Sequence, residues 1–303
     1  MSKKRIAING FGRIGRMSFR ILEERNDVEV VGINDLTDVK TLAHLLRFDS
    51  VHGKFSGKVE VVNGDLQVNG RMIKVSAERN PLNLAWKELN VDSVIESTGV
   101  FVTKEKSMAH IQAGAKKVVI SAPAKGDLKT IVLGVNDDII EDSDVIISSA
   151  SCTTNCLAPM VKVLDDSFGI ERGFITTVHS YTSDQRLLDA PHSDLRRSRA
   201  AAVNMVPTST GAAAAVGLVL PHLAGKLDGL AVRVPTPTGS ITDLTAVLKQ
   251  DVTVEQVNEA MRSASHGAMK GILSYCEDPI VSSDVVGDSH SCIFDADLTR
   301  TSK

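Results

Sequence analysis

The sequence predicts an α/β fold in two parts: a doubly wound, mostly parallel sheet in the first half, then an α+β half whose sheet is largely antiparallel. Three observations carry this expectation. Val- and Ile-rich runs of strand length alternate with helix-like segments through the first half. The first of those runs leads directly into a glycine-rich turn, Gly10-Phe11-Gly12-Arg13-Ile14-Gly15. In the second half the runs GFITTVHS, GLAVRVP and SITDLTAVL are joined by longer loops and by one helix-like segment, TVEQVNEAMRSA. A length of 303 residues with 43% hydrophobic content is enough for two cores.

In chain order, the strand-length runs of the first half are RIAIN, VEVVGI, DSVIES, KKVVIS, TIVLGV and DVIISS. An amphipathic pattern from Ile14 to Glu24 predicts a helix between the first two. Residues 58–75 interrupt the parallel pattern with two Asn-Gly pairs between alternating apolar positions, the chemistry of tight hairpins. The glycine-rich turn has the spacing G-x-G-x-x-G. Its glycines permit a sharp turn, close approach of backbone to a pyrophosphate and close packing of helix on strand, while the helix N-terminus offers free N–H groups. Asp35 stands at the end of the second strand, 20 residues after Gly15, where the ribose-binding acid of a Rossmann unit belongs. A purely structural glycine turn would not require strand, turn, helix and acid in this order. The first half therefore reads as a dinucleotide-binding Rossmann domain, and an acid at residue 35 repels a 2′-phosphate, favouring NAD over NADP.

At the end of DVIISS comes Ser151-Cys152-Thr153-Thr154-Asn155-Cys156. The segment Leu157 to Phe168 has helical spacing, with Pro159 expected near the helix start. Cys152 then lies where strand gives way to helix, and the positive end of the helix together with neighbouring hydroxyls favours a thiolate. His179, in GFITTVHSYT, is the candidate partner, since an imidazole can stabilise the thiolate or act as base. Spacing alone leaves a structural histidine equally open. Cys156, one helical turn on, reads as a packing residue. Arginines in Ser193-Asp194-Leu195-Arg196-Arg197-Ser198-Arg199, and Arg233 within the apolar run AVRVP, suit an anionic substrate, although a charge run such as the first is ordinarily a solvated face. Pro207-Thr208-Ser209-Thr210-Gly211, before an alanine-rich helix, is a further phosphate candidate, with helix capping an equal explanation.

Composition excludes several classes. A net charge of −3 argues against a nucleic-acid binder, and no apolar run approaches membrane-spanning length. The basic N-terminus is broken by Asn9, Gly10, Gly12 and Arg13, unlike a secretory signal, so a cytoplasmic location is expected. Four cysteines without a C-x-x-C pair predict neither a disulfide framework nor a metal site.

INGFGRIGR, ND, ESTG, SAPAK, SASCTTNCLAP, TTVHSYTSDQR, DLRRSRAAA, PTSTGAA and RVPTPTGS, in this order and spacing, closely resemble the phosphorylating glyceraldehyde-3-phosphate dehydrogenases of glycolysis. The resemblance runs to about residue 298. It implies Cys152 as nucleophile and His179 as base. It implies NAD contacts at Phe11, Gly12, Arg13, Ile14, Asp35, Arg79, Thr98, Gly99 and Ser121. It further implies Ser151, Thr153, Thr210 and Gly211 around the attacking inorganic phosphate, and Thr182, Arg197 and Arg233 around the phosphate of glyceraldehyde 3-phosphate, the two sites sharing groups. A homotetramer is implied as well. The expected domains are residues 1–151 for NAD and 152–303 for catalysis, with the nucleophile at their junction.

Two features depart from the family pattern. Ala190-Pro191 stands where NAD-using members commonly carry Leu-Pro, so some NADP use is expected. After Asp295 to Lys303 the family ordinarily continues through another strand, a loop whose asparagine holds the nicotinamide amide, and a helix. Weaker NAD binding, lower stability and loss of turnover are therefore expected of these 303 residues, unless they are a fragment of a longer product. Two other readings fit the residues: an erythrose-4-phosphate dehydrogenase, and a catalytically silent NAD-binding or subunit-interacting protein.

Overall fold

The computed structural model describes residues 2–302. The chain divides into two compact units, one from Met1–Ile131 and Ile139–Ala150, the other from Val132–Asp138 and Ser151–Lys303.

The first unit is built on an eight-stranded sheet. β1 (Lys4–Asn9) leads through the glycine turn into α1 (Arg13–Glu23), and β2 (Val28–Asn34) returns parallel to β1. After α2 (Val39–Arg47) the chain forms an antiparallel meander of β3 (Val59–Val62), β4 (Asp65–Val68) and β5 (Arg71–Ser76), as the Asn-Gly pairs predict. Asn63 and Gly64, then Asn69 and Gly70, all adopt positive φ between 50° and 85°. Two consecutive left-handed residues make the turn whose twist matches that of its strands. β5 joins the sheet by pairing parallel to β2. β6 (Ser93–Glu96), α3 (Lys104–Gln112), β7 (Lys117–Ile120) and β8 (Ile146–Ser148) complete the order β3-β4-β5-β2-β1-β6-β7-β8. The order reverses between β1 and β6, and the C-terminal ends of such strands are where open α/β sheets bind ligands. Alternation along β1 sends Ile8 into a core with Phe11, Phe19, Ile33, Leu42 and Leu46, and Ala7 into a second core with Trp86, Val94 and Val118.

TIVLGV, residues 130–135, is not a strand. Thr130 makes a single bridge to Ser148, after which the Val132 N–H donates to the Asn136 side chain at 2.9 Å and Val135 closes a turn onto the Val132 carbonyl. Gly134, at φ 77°, bends the chain away from any ladder. Apolar character here reflects burial of Ile131 and Val132, not strand pairing.

The second unit carries a four-stranded sheet of order β10-β11-β9-β12, from β9 (Ile170–Ser180), β10 (Val206–Ser209), β11 (Leu227–Val234) and β12 (Ser240–Leu248). Its β9–β11 pair is parallel, and the β10–β11 and β9–β12 pairs are antiparallel. A separate parallel pair joins β13 (Leu273–Cys276) to β14 (Cys292–Asp295). α4 (Cys152–Phe168) packs on α5 (Ala212–Val219), α6 (Val254–His266) and the sheet, burying Leu157, Val161 and Leu164 at helical spacing. The other sheet face leaves Phe174, Leu230, Ile241 and Val247 exposed. α4 starts five residues upstream of the expected Leu157, because Ser151 caps it, so Pro159 lies at the eighth helical residue and not near the start. Among the described residues, no helix is long and apolar enough to cross a membrane.

Candidate active site

Between β8 and α4 the chain turns through Ala150, which adopts φ 60°. Ser151 then caps the helix, its Oγ accepting the Thr154 N–H at 3.1 Å. Cys152 is the first residue of α4, so its sulfur stands at the positive end of a helix of 17 residues.

β9 supplies the partner. His179 is buried near the strand's end, and its Nε2 lies 3.3 Å from Cys152 Sγ. His179 Nδ1 lies 2.7 Å from the Ser180 carbonyl, which can only accept, so Nδ1 carries a proton and donates. Nε2 is thereby left to take the thiol proton, or to donate to the thiolate once it has done so. Protein atoms crowd the sulfur and disfavour its charge, although the residue remains open to solvent. The His179 hydrogen bond and charge, followed by the backbone and hydroxyl of Thr153, outweigh that crowding and hold the Cys152 thiol below its ordinary range. The geometry favours the Cys152–His179 pairing over the structural reading of the histidine. Cys156 faces Cys292, and contact with the Cys156 sulfur together with burial pushes the Cys292 thiol up.

The neighbouring strand positions an arginine. Arg233 on β11 is in register with His179, so both side chains leave one face of the sheet at one level. Its Nη1 donates to the Ser180 carbonyl at 3.1 Å and to Thr182 Oγ1 at 3.2 Å, while its buried Nε has no hydrogen-bond partner. Burial and the nearby charge of Arg197 both disfavour the Arg233 cation. Two guanidinium groups in each other's field, one with an unpaired buried donor, call for an anion. Arg197 is also fixed: Nε donates to Thr208 Oγ1 at 3.0 Å and Nη1 to Asp184 at 2.6 Å. The run around it is thus not a uniformly solvated face, since the Arg197 side chain is only 20% exposed. Thr208, from the hydroxyl-rich candidate turn, orients Arg197 together with Asp184 and Asp194, two acids whose role escaped sequence reasoning because loop acids look alike until their partners are known. Thr153 is buried in the first turn of α4. Thr210 and Gly211 precede α5; Gly211 is the N-cap, with no side-chain cap hydrogen bond, and Thr210 Oγ1 accepts the Ala212 N–H at 3.2 Å in a local turn.

In the first unit, Asp35 and Thr98, two of the residues expected to hold the cofactor, touch the glycine turn. Gly10 has φ 90°, and a Cβ there would meet Thr98 N at 2.8 Å. Asp35 Oδ2 accepts the Phe11 N–H at 2.7 Å, tying the acid to the turn. Gly12 differs from its neighbours, because a Cβ built on it meets nothing within 4 Å. Protein packing does not demand glycine there, whereas a pyrophosphate resting on the helix N-terminus does. Arg13 pairs with Asp49, Ile14 and Arg79 are exposed, and Ser121 Oγ donates to the Glu96 carbonyl at 3.1 Å. Open space at Gly12 beside a fixed acid fits NAD.

Comparison with known proteins covers both units. Residues 4–104 match the family described as "Glyceraldehyde 3-phosphate dehydrogenase, NAD binding domain", and residues 151–303 the one described as "Glyceraldehyde 3-phosphate dehydrogenase, C-terminal domain". The chain is 62% identical over 298 residues to a glyceraldehyde-3-phosphate dehydrogenase of Thermotoga maritima, covering 98% of this chain and 90% of that protein. It is 60% identical over 298 residues to that of Borreliella burgdorferi (96% and 89% covered) and 58% identical over 293 residues to that of Geobacillus stearothermophilus (96% and 88% covered). With both parts matched and relatives alike at this level along almost its whole length, the chain belongs to the NAD-dependent glyceraldehyde-3-phosphate dehydrogenase family.

Proposed function

We propose that the protein oxidises glyceraldehyde 3-phosphate and captures the product as 1,3-bisphosphoglycerate, the phosphorylating step of glycolysis and gluconeogenesis, with residues 1–151 holding NAD and 152–303 performing the chemistry. The observation that carries this is the 3.3 Å contact between Cys152 Sγ and His179 Nε2, with Arg233 in register beside the histidine. The Cys152 thiolate attacks the aldehyde carbon, forming a C–S bond as the C=O π bond opens, and the oxygen takes the proton that His179 Nε2 removed from the thiol, giving a hemithioacetal. His179 Nε2 takes the hydroxyl proton as the hydride leaves that carbon, and the thiol ester remains on Cys152. NAD, when bound, supplies the acceptor for the hydride. An oxygen of inorganic phosphate then attacks the thioester carbonyl, the C–S bond breaks, and sulfur departs as the thiolate that began the cycle. Arg233, Thr182 and Arg197 bind the phosphate end of the aldehyde, and Ser151, Thr153, Thr210 and Gly211 the attacking phosphate. The apolar sheet face bearing Phe174, Ile241 and Val247 supports assembly as a homo-oligomer.

The test is NADH formation by the purified protein with NAD, the aldehyde and inorganic phosphate, beside Cys152→Ser and with erythrose 4-phosphate as competing substrate. Phosphate-dependent turnover that the substitution abolishes, with glyceraldehyde 3-phosphate the better substrate, is expected. NAD binding without turnover in a folded sample would overturn the proposal in favour of a silent binding protein.

A further inference from the structure

Glu96 is the one charged residue of β6, SVIE, and it ends that strand fully buried. Its surroundings define its state. The Trp86 indole nitrogen lies 3.0 Å from His110 Nδ1 and can only donate, so Nδ1 is the acceptor. The buried His110 ring is therefore neutral, with its proton on Nε2, 2.9 Å from Glu96 Oε2. A second one-way chain arrives from the other side. The Glu78 N–H donates to Asn34 Oδ1 at 2.8 Å, Asn34 Nδ2 to Asn9 Oδ1 at 2.7 Å, and Asn9 Nδ2 to Glu96 Oε2 at 2.5 Å. Glu96 Oε1 accepts the Thr98 N–H at 2.9 Å and the Thr98 hydroxyl. Four donors converge on one carboxyl group, so both Glu96 oxygens serve as acceptors, with no Lys or Arg beside them.

What this side chain holds lies at the strand-order reversal. Thr98 sits directly on Gly10, and Ser97 Oγ donates to the Gly10 carbonyl at 2.7 Å. We infer that Glu96 is a positioning residue for the NAD site, a buried acceptor that seats the 97–99 segment on the glycine turn before cofactor arrives. The inference rests on the reading of Thr98 and Gly99 as cofactor contacts. Substitution by glutamine keeps the shape and breaks the logic. Neither His110 nor Asn9 can turn its donor round, because Trp86 and Asn34 fix them, whereas the Thr98 hydroxyl can rotate. The amide NH₂ must therefore turn towards Thr98, where it opposes the Thr98 N–H and releases the segment.

Two measurements on the full chain test this: the dissociation constant for NAD by calorimetry, and amide hydrogen exchange of the cofactor-free protein. In the wild type, the Thr98 amide is expected to be protected without cofactor. Glu96→Gln is expected to accelerate exchange at residues 97–100 selectively and to weaken NAD by about tenfold to a hundredfold, as leaving a buried donor unsatisfied implies. Glu96→Asp, which keeps the carboxyl group but cannot reach both sides, should do the same if the glutamine variant does not fold. An unprotected Thr98 amide in the wild type, or a folded variant with wild-type exchange and affinity, would overturn the inference. Failure of the underlying reading looks different: Gly99→Ala with unchanged affinity would show that this segment does not touch NAD.

Discussion

The three glycines of the turn are not equivalent, and two substitutions separate their roles. At Gly15 a Cβ would lie 2.1 Å from the Gly10 carbonyl oxygen and 3.1 Å from Ile8 Cγ2. Carbon and oxygen rest comfortably at about 3.3 Å, so in Gly15→Ala the helix α1 must lift from the turn by roughly 1 Å, since neither obstacle is a flexible tip. Overpacking of this kind costs about 1–3 kcal/mol, which lowers the melting temperature by roughly 2–12 °C for a unit of this size. Moving the helix N-terminus that far should also weaken NAD on the order of a hundredfold. Gly12→Ala is the control. Residue 12 has φ −72°, which alanine adopts, and its Cβ meets no protein atom within 4 Å. The gain of about 0.4–1 kcal/mol from a stiffer unfolded chain roughly offsets the poorer capping by alanine, leaving the melting temperature almost unchanged. The methyl group nevertheless occupies the space above the helix N-terminus, and affinity should fall at least about tenfold. Thermal unfolding and calorimetric titration read both quantities. Wild-type NAD affinity in Gly12→Ala, or wild-type stability in Gly15→Ala, would refute the reasoning.

Two further outcomes follow from named groups. Because His179 is the main influence holding the Cys152 thiol down against the crowding of its sulfur, His179→Gln should move the pH profile of Cys152 alkylation by iodoacetamide upward; an unmoved profile would disprove the pairing. Burial alone would push the Asp49 carboxyl up, but the N–H groups of His52 and Val51 and the Arg13 guanidinium bring it down to about 2. A depressed acid stabilises the fold above its unfolded value and loses that contribution as pH falls through the folded one. Asp49→Asn should thus cost roughly 2–3 kcal/mol near neutrality, and the difference from wild type, followed by chemical denaturation, should shrink from about pH 4 down to about pH 2; a difference that stays constant over that window would remove the argument.

Features set by local chemistry were legible in the sequence. Asn63-Gly64 and Asn69-Gly70 announce their turns because few other pairs tolerate two left-handed residues, and Gly10 to Gly15 announces a strand, turn and helix at once. The contact of Cys152 with His179 needed tertiary structure, since 27 residues separate them and only the return of β9 brings them together. TIVLGV misled because burial and strand pairing leave the same apolar signature. The start of α4 was displaced because a run of Ser, Thr and Asn offers several caps, and which hydroxyl takes the role is decided by the turn before it. Glu96 carried a signal, a charge within an apolar strand, but its meaning depends on His110 and Trp86, which the fold alone brings to it.

Ala150 is a residue with a side chain in a conformation that suits glycine, 2% exposed at φ 60°. That posture is uphill by about 1–2 kcal/mol, and it is held upstream by the Ser148 hydroxyl, which accepts the Ala150 N–H at 3.0 Å, and downstream by the Ser151 cap. The strain is already present in the resting protein. In the proposed reaction, fixing the backbone that carries the sulfur would therefore subtract nothing from the binding energy of an incoming aldehyde, and the freedom that a glycine at 150 would restore is freedom that such a reaction would have to remove on every turnover.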